Sequence, residues 1–320
     1  MKALVEESSP PRRITIVVPV YNEEAVLPDF FREVQGVTNL LEWGIEWIFV
    51  DDGSIDRTSE LVRSFQPKQN DRITLISLSR NFGKESAILA GLEESSGQYV
   101  AVMDADLQDP PELLPEMLRV MESGDYEMVS CVRQDRSSQG KLRGTLSEIF
   151  YSVWNRLSAV PIKRGVRDYR MMKRPVVDAF IQLREVYRFF KGLFEWLGFR
   201  VTTLGYWDES RGLGKASGKY SDCLVTQLME FCLFLRSPLR VASLLGALIS
   251  LAAFIYMVWV VVKTLLLGDP VQGYPSLMTV LLFVSGAQLL CLGVLGEYVG
   301  RLYQESKKRP IDFVSSIERR

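Results

Sequence analysis

The sequence contains no histidine. That excludes imidazole as a general base, as the partner of a nucleophile and as a metal ligand. Cysteine is scarce and scattered: Cys131, Cys223, Cys232 and Cys291 form no Cys-x-x-Cys pair. This spacing argues against a zinc knot, and apolar filling in a reduced compartment is their ordinary role. An excess of either charge is also lacking. The net charge is −1 and the pI about 5.9, so there is no basic footprint for nucleic acid. Residues 1–12 are polar, contain Pro-Pro and lack the apolar stretch of a secretory signal, so they read as a flexible tail. Carboxylates, lysine, arginine, tyrosine, hydroxyls and hard metal ions are left to carry chemistry.

The 320 residues leave room for a sizeable core. "RITIVVPVYNEE" runs from a β-rich stretch into a polar turn, and a helix is expected from about 24 to 40. "IEWIFVDDGSIDRT" repeats the plan, with a helix expected from about 56 to 65. "ITLISLSRNFGKESAILAGLEES" and "YVAVMDADLQDPPELLPEMLRVM" repeat it again. Strands alternating with helices predict an α/β domain with a mostly parallel sheet, whose ligand lies at the carboxyl ends of the strands. Tyr21-Asn22-Glu23, Asp51-Asp52, Arg80-Asn81 and Asp104-Ala105-Asp106 all fall at those ends. Independent surface turns need not share an edge, whereas parts of one site must.

Beyond this repeat, 134–146 reads as a basic mobile loop. Ile149, Phe150, Val153, Trp154 and Leu157 have helical spacing, suited either to a core-facing helix or to one lying in a membrane interface. "GVRDYRMMKRPVVDAF" and "GYWDESRGLGKASGKYS" read as further basic and polar loop. No charge occurs in 241–262 or in 270–296, and each run exceeds the roughly 20 residues that span a bilayer. The expectation is a juxtamembrane amphipathic helix at 222–239 and two transmembrane helices within 240–299, at about 241–263 and 274–296. A basic tail follows at 300–320. Arg236 and Arg240 precede the first run; Arg301, Lys307, Lys308 and Arg309 follow the second. By the positive-inside rule both termini and the α/β domain face the cytoplasm, at the inner or plasma membrane.

In "VMDADLQDPPE" the carboxylates of Asp104 and Asp106 stand two residues apart at a strand end. Such a pair repels itself unless a cation or proton intervenes, and oxygen-only ligands fit Mg2+ or Mn2+. Aspartates are also common in ordinary turns. Asp109 with Pro110, Pro111 and Glu112 reads as the start of the next helix, where acidic residues favour the first turn.

Together "VVPVYNEE", "VDDGS", "RNFGKESAILAGL", "DADLQDPPE" and "RGLGKASGKYS" resemble successive motifs of the family 2 inverting glycosyltransferases of GT-A fold. With two carboxyl-terminal spans, the chain most resembles the polyprenyl-phosphate glycosyltransferases. The resemblance implies a Rossmann-like nucleotide-sugar domain over 13–221. It implies donor binding by Pro19, Tyr21, Glu23, Asp51, Asp52, Lys84, Asp104 and Arg211. Asp104 and Asp106 become the Mg2+ or Mn2+ site, with Gln108 as an added oxygen ligand. Arg133, Arg143, Lys215 and Lys219 grip the acceptor phosphate, and Asp168, Asp106 and Arg211 are the catalytic set, Asp168 in the place of the family's base. Plainer roles stand beside these: a helix entry for Tyr21 and Glu23, a solvated lysine at 84, solvated loop arginines at 133 and 143, and an Asp168 paired with Arg167 or Arg170. Ala216 and Gly218 depart from the family's loop pattern.

The implied activity is transfer of glucose from UDP-glucose to undecaprenyl phosphate, with inversion, at the cytoplasmic membrane face. The product would serve a flippase and a downstream glycosyltransferase. A GDP-mannose-dependent polyprenyl-phosphate mannosyltransferase is the alternative enzyme, and a membrane-anchored nucleotide-sugar sensor the non-enzyme. Small residues in "LLGALIS" and "GVLGEYVG" allow close helix packing, and similar proteins imply a homo-oligomer such as a tetramer.

Overall fold

The computed structural model describes residues 12–68, 70–134, 166–183, 185, 190–207, 255 and 273–320. Contacts divide the chain into two units, one of residues 1–151, 160–216 and 310–320, the other of 152–159 and 217–309.

The first unit is built on an eight-stranded sheet. Strands β1 (Arg13–Val20), β2 (Gly44–Asp51), β3 (Arg72–Leu78) and β4 (Tyr99–Val102) run mutually parallel in the order β4-β1-β2-β3. They are buried almost throughout, as near-continuous runs of β-branched and aromatic residues require when helices cover the sheet. Helices α1 (Leu27–Thr38), α2 (Thr58–Ser64), α3 (Lys84–Glu94) and α4 (Leu113–Glu122) each follow one of these strands. The first two start later than expected, because the turns before them are taken up by side chain-to-backbone bonds described below. In α1, Leu27, Phe30, Val34 and Thr38 form the buried stripe of an amphipathic helix. They meet Trp47, Phe49 and Phe65 in an aromatic core. Helix α3 lies so close to the sheet that a Cβ on Gly91 would stand 2.4 Å from Val17 Cγ1.

Four strands fall where no strand was expected. β5 (Met128–Gln134), β6 (Val166–Lys173) and β7 (Val201–Trp207) extend the sheet beyond β4, and β8 (Val314–Arg319) pairs antiparallel with β3 at the other edge. β6 is antiparallel to both β4 and β5. Residues 166–173 are therefore a strand inside the sheet rather than loop. Their Arg and Lys letters hide a segment in which Tyr169, Arg170, Met171 and Met172 are all buried. Likewise the end of the expected basic tail is a strand, too exposed and polar to carry an apolar pattern. Helices α5 (Arg174–Ile181) and α6 (Phe190–Trp196) belong to the same unit, with Phe180 stacked on Phe194.

In the second unit, α7 (Tyr274–Ser306) covers the second expected span. Among the described residues no helix is long and apolar enough to cross a membrane. Segment 222–239 lies outside the described residues, as does the span at 241–263 except Ile255.

Candidate active site

Because β1 to β4 are parallel, their carboxyl ends open on one edge, and the four polar clusters meet there. Pro19, Val20, Tyr21, Glu23, Asp52, Asn81, Gly83, Lys84, Ala87, Asp104, Ala105 and Asp106 line a cleft of about 300 Å³. Strands β5 and β7 run parallel to one another and in the same sense as β4, while β6 opposes them. The ends at Gln134, Val166 and Trp207 therefore face this edge too.

The turn after β1 is stitched to the turn after β2. Asn22 takes a left-handed conformation (φ 53°), which a short polar side chain tolerates. Its N–H donates to Ser54 Oγ (2.9 Å), and its Oδ1 accepts from the Ile55 N–H (2.9 Å). The Glu23 N–H donates to Thr58 Oγ1 at 2.8 Å. The side chains of Tyr21 and Glu23 thus project from a fixed turn, and Tyr21 is exposed.

Asp51 and Asp52 do different things. Asp51 accepts from the Ser54 N–H (2.8 Å) and from the Ser59 hydroxyl, so its carboxylate serves its own loop, and it is not among the residues lining the cleft. Asp52 lines the cleft and accepts from the Phe82 and Gly83 N–H groups at 2.7 and 2.8 Å. Burial raises its pKa, and the two backbone donors pull it the other way.

Lys84 opens α3, and its Nζ donates to Asp104 Oδ2 (2.7 Å) and Asp168 Oδ2 (2.9 Å). One ammonium thus joins the end of β4 to the start of β6. Burial raises the Asp104 pKa, Lys84 opposes this, and Asp168 and Asp106 add to it. Glu23 is raised by burial and then by the charges of Asp106 and Asp104. Burial alone would lower Lys84, but Asp104 and Asp168 carry it above its ordinary value. Glu23, Asp104, Asp106 and Asp168 crowd one space, and Lys84 contacts two of them, Asp104 and Asp168.

Asp168 does pair with an arginine as well. Arg170, 2% exposed, has a nitrogen 3.6 Å from Asp168 Oδ1 and donates to the carbonyls of Asp168 and Arg167 at 3.2 Å each. Its guanidinium lies 4.3 Å from the centre of the Phe194 ring.

Gln108 Oε1 accepts from Arg167 Nη2 (2.9 Å), while the Gln108 N–H donates to Asp106 Oδ1 (3.1 Å). Asp109 does not start the next helix. It is 3% exposed and accepts from Arg167 Nε (3.1 Å) and the Tyr206 hydroxyl; Glu112 precedes α4 instead. An acid with two long-range donors available is drawn inward, away from a helix end that is satisfied without it. Arg133 is half-buried near the end of β5 and is not a lining residue. Arg143, Arg211, Lys215 and Lys219 lie outside the described residues. Asn81, placed by sequence at the strand ends with Arg80, lines the cleft, and so does Gly83 of the same Arg-Asn-Phe-Gly turn, for which no role was expected.

Among the described residues no group of three or more acidic or cysteine side chains is arranged to hold a metal ion. The donor set nevertheless fits a hard cation. It is all oxygen, and Asp104 and Asp106 repel one another at a point where Mg2+ needs only one or two carboxylates besides substrate phosphates.

The family model for glycosyl transferase family 2 matches residues 15–180, and that for the GtrB C-terminal hairpin matches 237–302. The chain is 38% identical to a bactoprenol glucosyl transferase of Shigella phage SfV, over 93% of this chain and 96% of that one. It is 36% identical to a prophage bactoprenol glucosyl transferase homolog of Escherichia coli strain K12, over 96% and 100%. It is 40% identical to an uncharacterized glycosyltransferase of Synechocystis sp., over 95% of each. Among solved structures, Staphylococcus aureus TarS 1–349 aligns with a TM-score of 0.43 and 15% identity, over 62% of this chain and 58% of that one. With four of the family's motifs gathered on one sheet edge and such relatives matching nearly end to end, the chain belongs to glycosyl transferase family 2.

Proposed function

We propose that the protein transfers glucose from UDP-glucose to a polyprenyl phosphate, inverting the anomeric centre. The observation that carries the reading is the single cleft into which Tyr21, Glu23, Asp52, Lys84, Asp104 and Asp106 converge, with Asp168 tied to it through Lys84. The relatives named bactoprenol glucosyl transferase supply the sugar and the lipid class.

In this reading Tyr21 stacks on the nucleobase and Asp52 accepts from a ring N–H, held in place by its two backbone donors. An acceptor phosphate oxygen forms a bond to the anomeric carbon as the bond to the departing diphosphate breaks. The acceptor is already ionised near neutral pH, so little proton removal is needed. Asp168 orients acceptor or sugar, fixed from both sides by Lys84 and Arg170. Lys84 and Arg211 meet donor phosphate, and Arg133, Arg143, Lys215 and Lys219 meet acceptor phosphate. Asp104 and Asp106 would hold Mg2+ or Mn2+, which when bound neutralises charge on the leaving diphosphate.

The helix hairpin would anchor the enzyme in the inner or plasma membrane with both termini cytoplasmic. Along α7 the side chains of Leu277, Leu281, Leu292, Leu295, Val299 and Leu302 are exposed, as lipid or a neighbouring helix requires. A homo-oligomer, and a flippase acting on the product, belong to the same proposal.

Incubation with labelled UDP-glucose and undecaprenyl phosphate, with and without EDTA, tests the reading. Label should enter the lipid phase only with divalent cation, and Asp104→Asn or Asp106→Asn should abolish transfer. Metal-dependent transfer by the double variant would overturn the site. Transfer from GDP-mannose but not UDP-glucose would overturn the sugar.

A further inference from the structure

Strand β8 comes from the far end of the chain, yet it closes on the loop that holds Asp52. It is tied down along its length. Arg320 and Ile73 exchange backbone bonds of 2.8 and 2.9 Å, and Glu318 receives a two-pronged contact from Arg63 at 2.8 and 2.9 Å. Arg319 reaches Glu94. At the other end, Ser315 Oγ donates to the Ser77 carbonyl (2.8 Å) and the Ser79 N–H donates to the Phe313 carbonyl (2.9 Å). These last contacts flank an irregularity in the β3–β8 register at Ser77 and Leu78, just where β3 gives way to the site loop.

The Phe313 side chain then lies against that loop. Its ring centre is 6.3 Å from that of Phe82, and the Arg80 guanidinium is 4.4 Å from the Phe82 ring. Phe82 and Gly83 are the residues whose N–H groups hold the Asp52 carboxylate. Little slack separates the loops: a Cβ on Gly53 would stand 2.6 Å from the Arg80 carbonyl carbon. Phe313 is 55% exposed, so the core gains little from it. Its placement is explained by what it holds.

We propose that β8 is a positioning element for donor binding, acting through Phe313 on the 79–83 loop and so on Asp52. The proposal rests on the reading of Asp52 as a nucleobase contact. Phe313 is a positioning residue: it stands one residue removed from the groups that hold Asp52.

Full-length Phe313→Ala, Phe313→Tyr and Asp52→Ala proteins test it, by UDP calorimetry and by kcat and KM for UDP-glucose. Phe313→Ala should weaken UDP binding and raise KM by about threefold to tenfold, as loss of an aromatic pair predicts. Its kcat should stay within about twofold, and Phe313→Tyr should restore KM. Unchanged UDP affinity in Phe313→Ala beside clear loss in Asp52→Ala would overturn the role of β8 alone. A lower melting temperature without a KM change would do the same. Unchanged UDP affinity in Asp52→Ala would overturn the nucleobase reading, and this proposal with it.

Discussion

Replacing Lys84 with Met removes the cation that bridges Asp104 and Asp168, leaving Arg170 beside Asp168, while keeping the length of the side chain. The side chains of Lys84, Asp104 and Asp168 are 39, 25 and 30% exposed. Exposed ion pairs contribute up to about 1 kcal/mol, and breaking a fully buried one costs about 3–5 kcal/mol. Two contacts at this intermediate exposure, discounted for solvent screening, set the loss at about 1–2 kcal/mol near pH 7.5. The loss must depend on pH. Burial already lifts Asp104 above its ordinary 3.8, and Lys84 is the strongest influence opposing that lift. Without Lys84 the lift grows. A carboxyl raised on folding favours the folded state while protonated, and that advantage is lost as pH rises through its folded pKa. The variant's deficit should therefore be full at pH 7.5 and shrink as pH falls through the raised value toward 3.8. Lys84 itself, raised above 10.5, stays charged throughout and adds no slope in this range. Thermal melts in detergent at pH 7.5 and 5, with and without Mg2+, provide the measurement. Mg2+ should stabilise the variant more than the parent, since the ion takes the place of the lost ammonium. A deficit that holds or grows on acidification would refute the electrostatic account.

Gly53→Ala should cost about 2–4 kcal/mol in denaturant unfolding, because φ is +76° there and the new Cβ meets backbone at Arg80 and Asn81. The forced shift of the 79–83 loop should also weaken UDP binding, read by calorimetry. Asp109→Ala should cost about 2–4 kcal/mol, since Arg167 and the Tyr206 hydroxyl both lose their acceptor. A loss of only about 1 kcal/mol in urea unfolding would instead match a helix cap.

The central four strands were legible because each is buried on both faces and so carries a near-continuous apolar run, broken only by single residues such as Thr15 and Glu46, with its polar cluster marking the carboxyl end. β6 was not. Its Arg167, Asp168 and Arg170 point into ion pairs and a ring contact that no periodicity records. β8 was hidden for the opposite reason: as an exposed edge strand it needs no apolar face, and its partners Arg63 and Ile73 lie far away in sequence. The cleft residues were legible as a set, but their division of labour was not. Nothing in "VDDGS" tells which aspartate serves its own loop, because that depends on Ser59 reaching one carboxylate and the Phe82 turn reaching the other. The same holds for Asp109, whose neighbours Pro110, Pro111 and Glu112 look like a helix start while its partners come from β6 and β7.

The proposed chemistry brings two phosphate-bearing substrates to a cleft lined by Glu23, Asp52, Asp104 and Asp106. Burial raises the pKa of Glu23 and of Asp104, the neighbouring cleft carboxylates raise both further, and the same charges would repel diphosphate. Lys84 is the only cationic side chain among the described residues that line the cleft, and both its contacts are to carboxylates. Lys84 can turn to a donor phosphate only if another cation takes up Asp104. Asp104 and Asp106 would hold the ion and neutralise their charge through it, and Lys84 would then be left to meet phosphate in place of carboxylate. On this reasoning divalent cation and UDP-glucose bind with positive coupling in the parent protein, and Lys84→Met loses much of that coupling even though it binds the ion alone more tightly. Calorimetry of UDP with and without Mn2+ in both proteins measures it directly. Equal coupling in the two would mean that Lys84 stays on its carboxylates throughout and never reaches the donor.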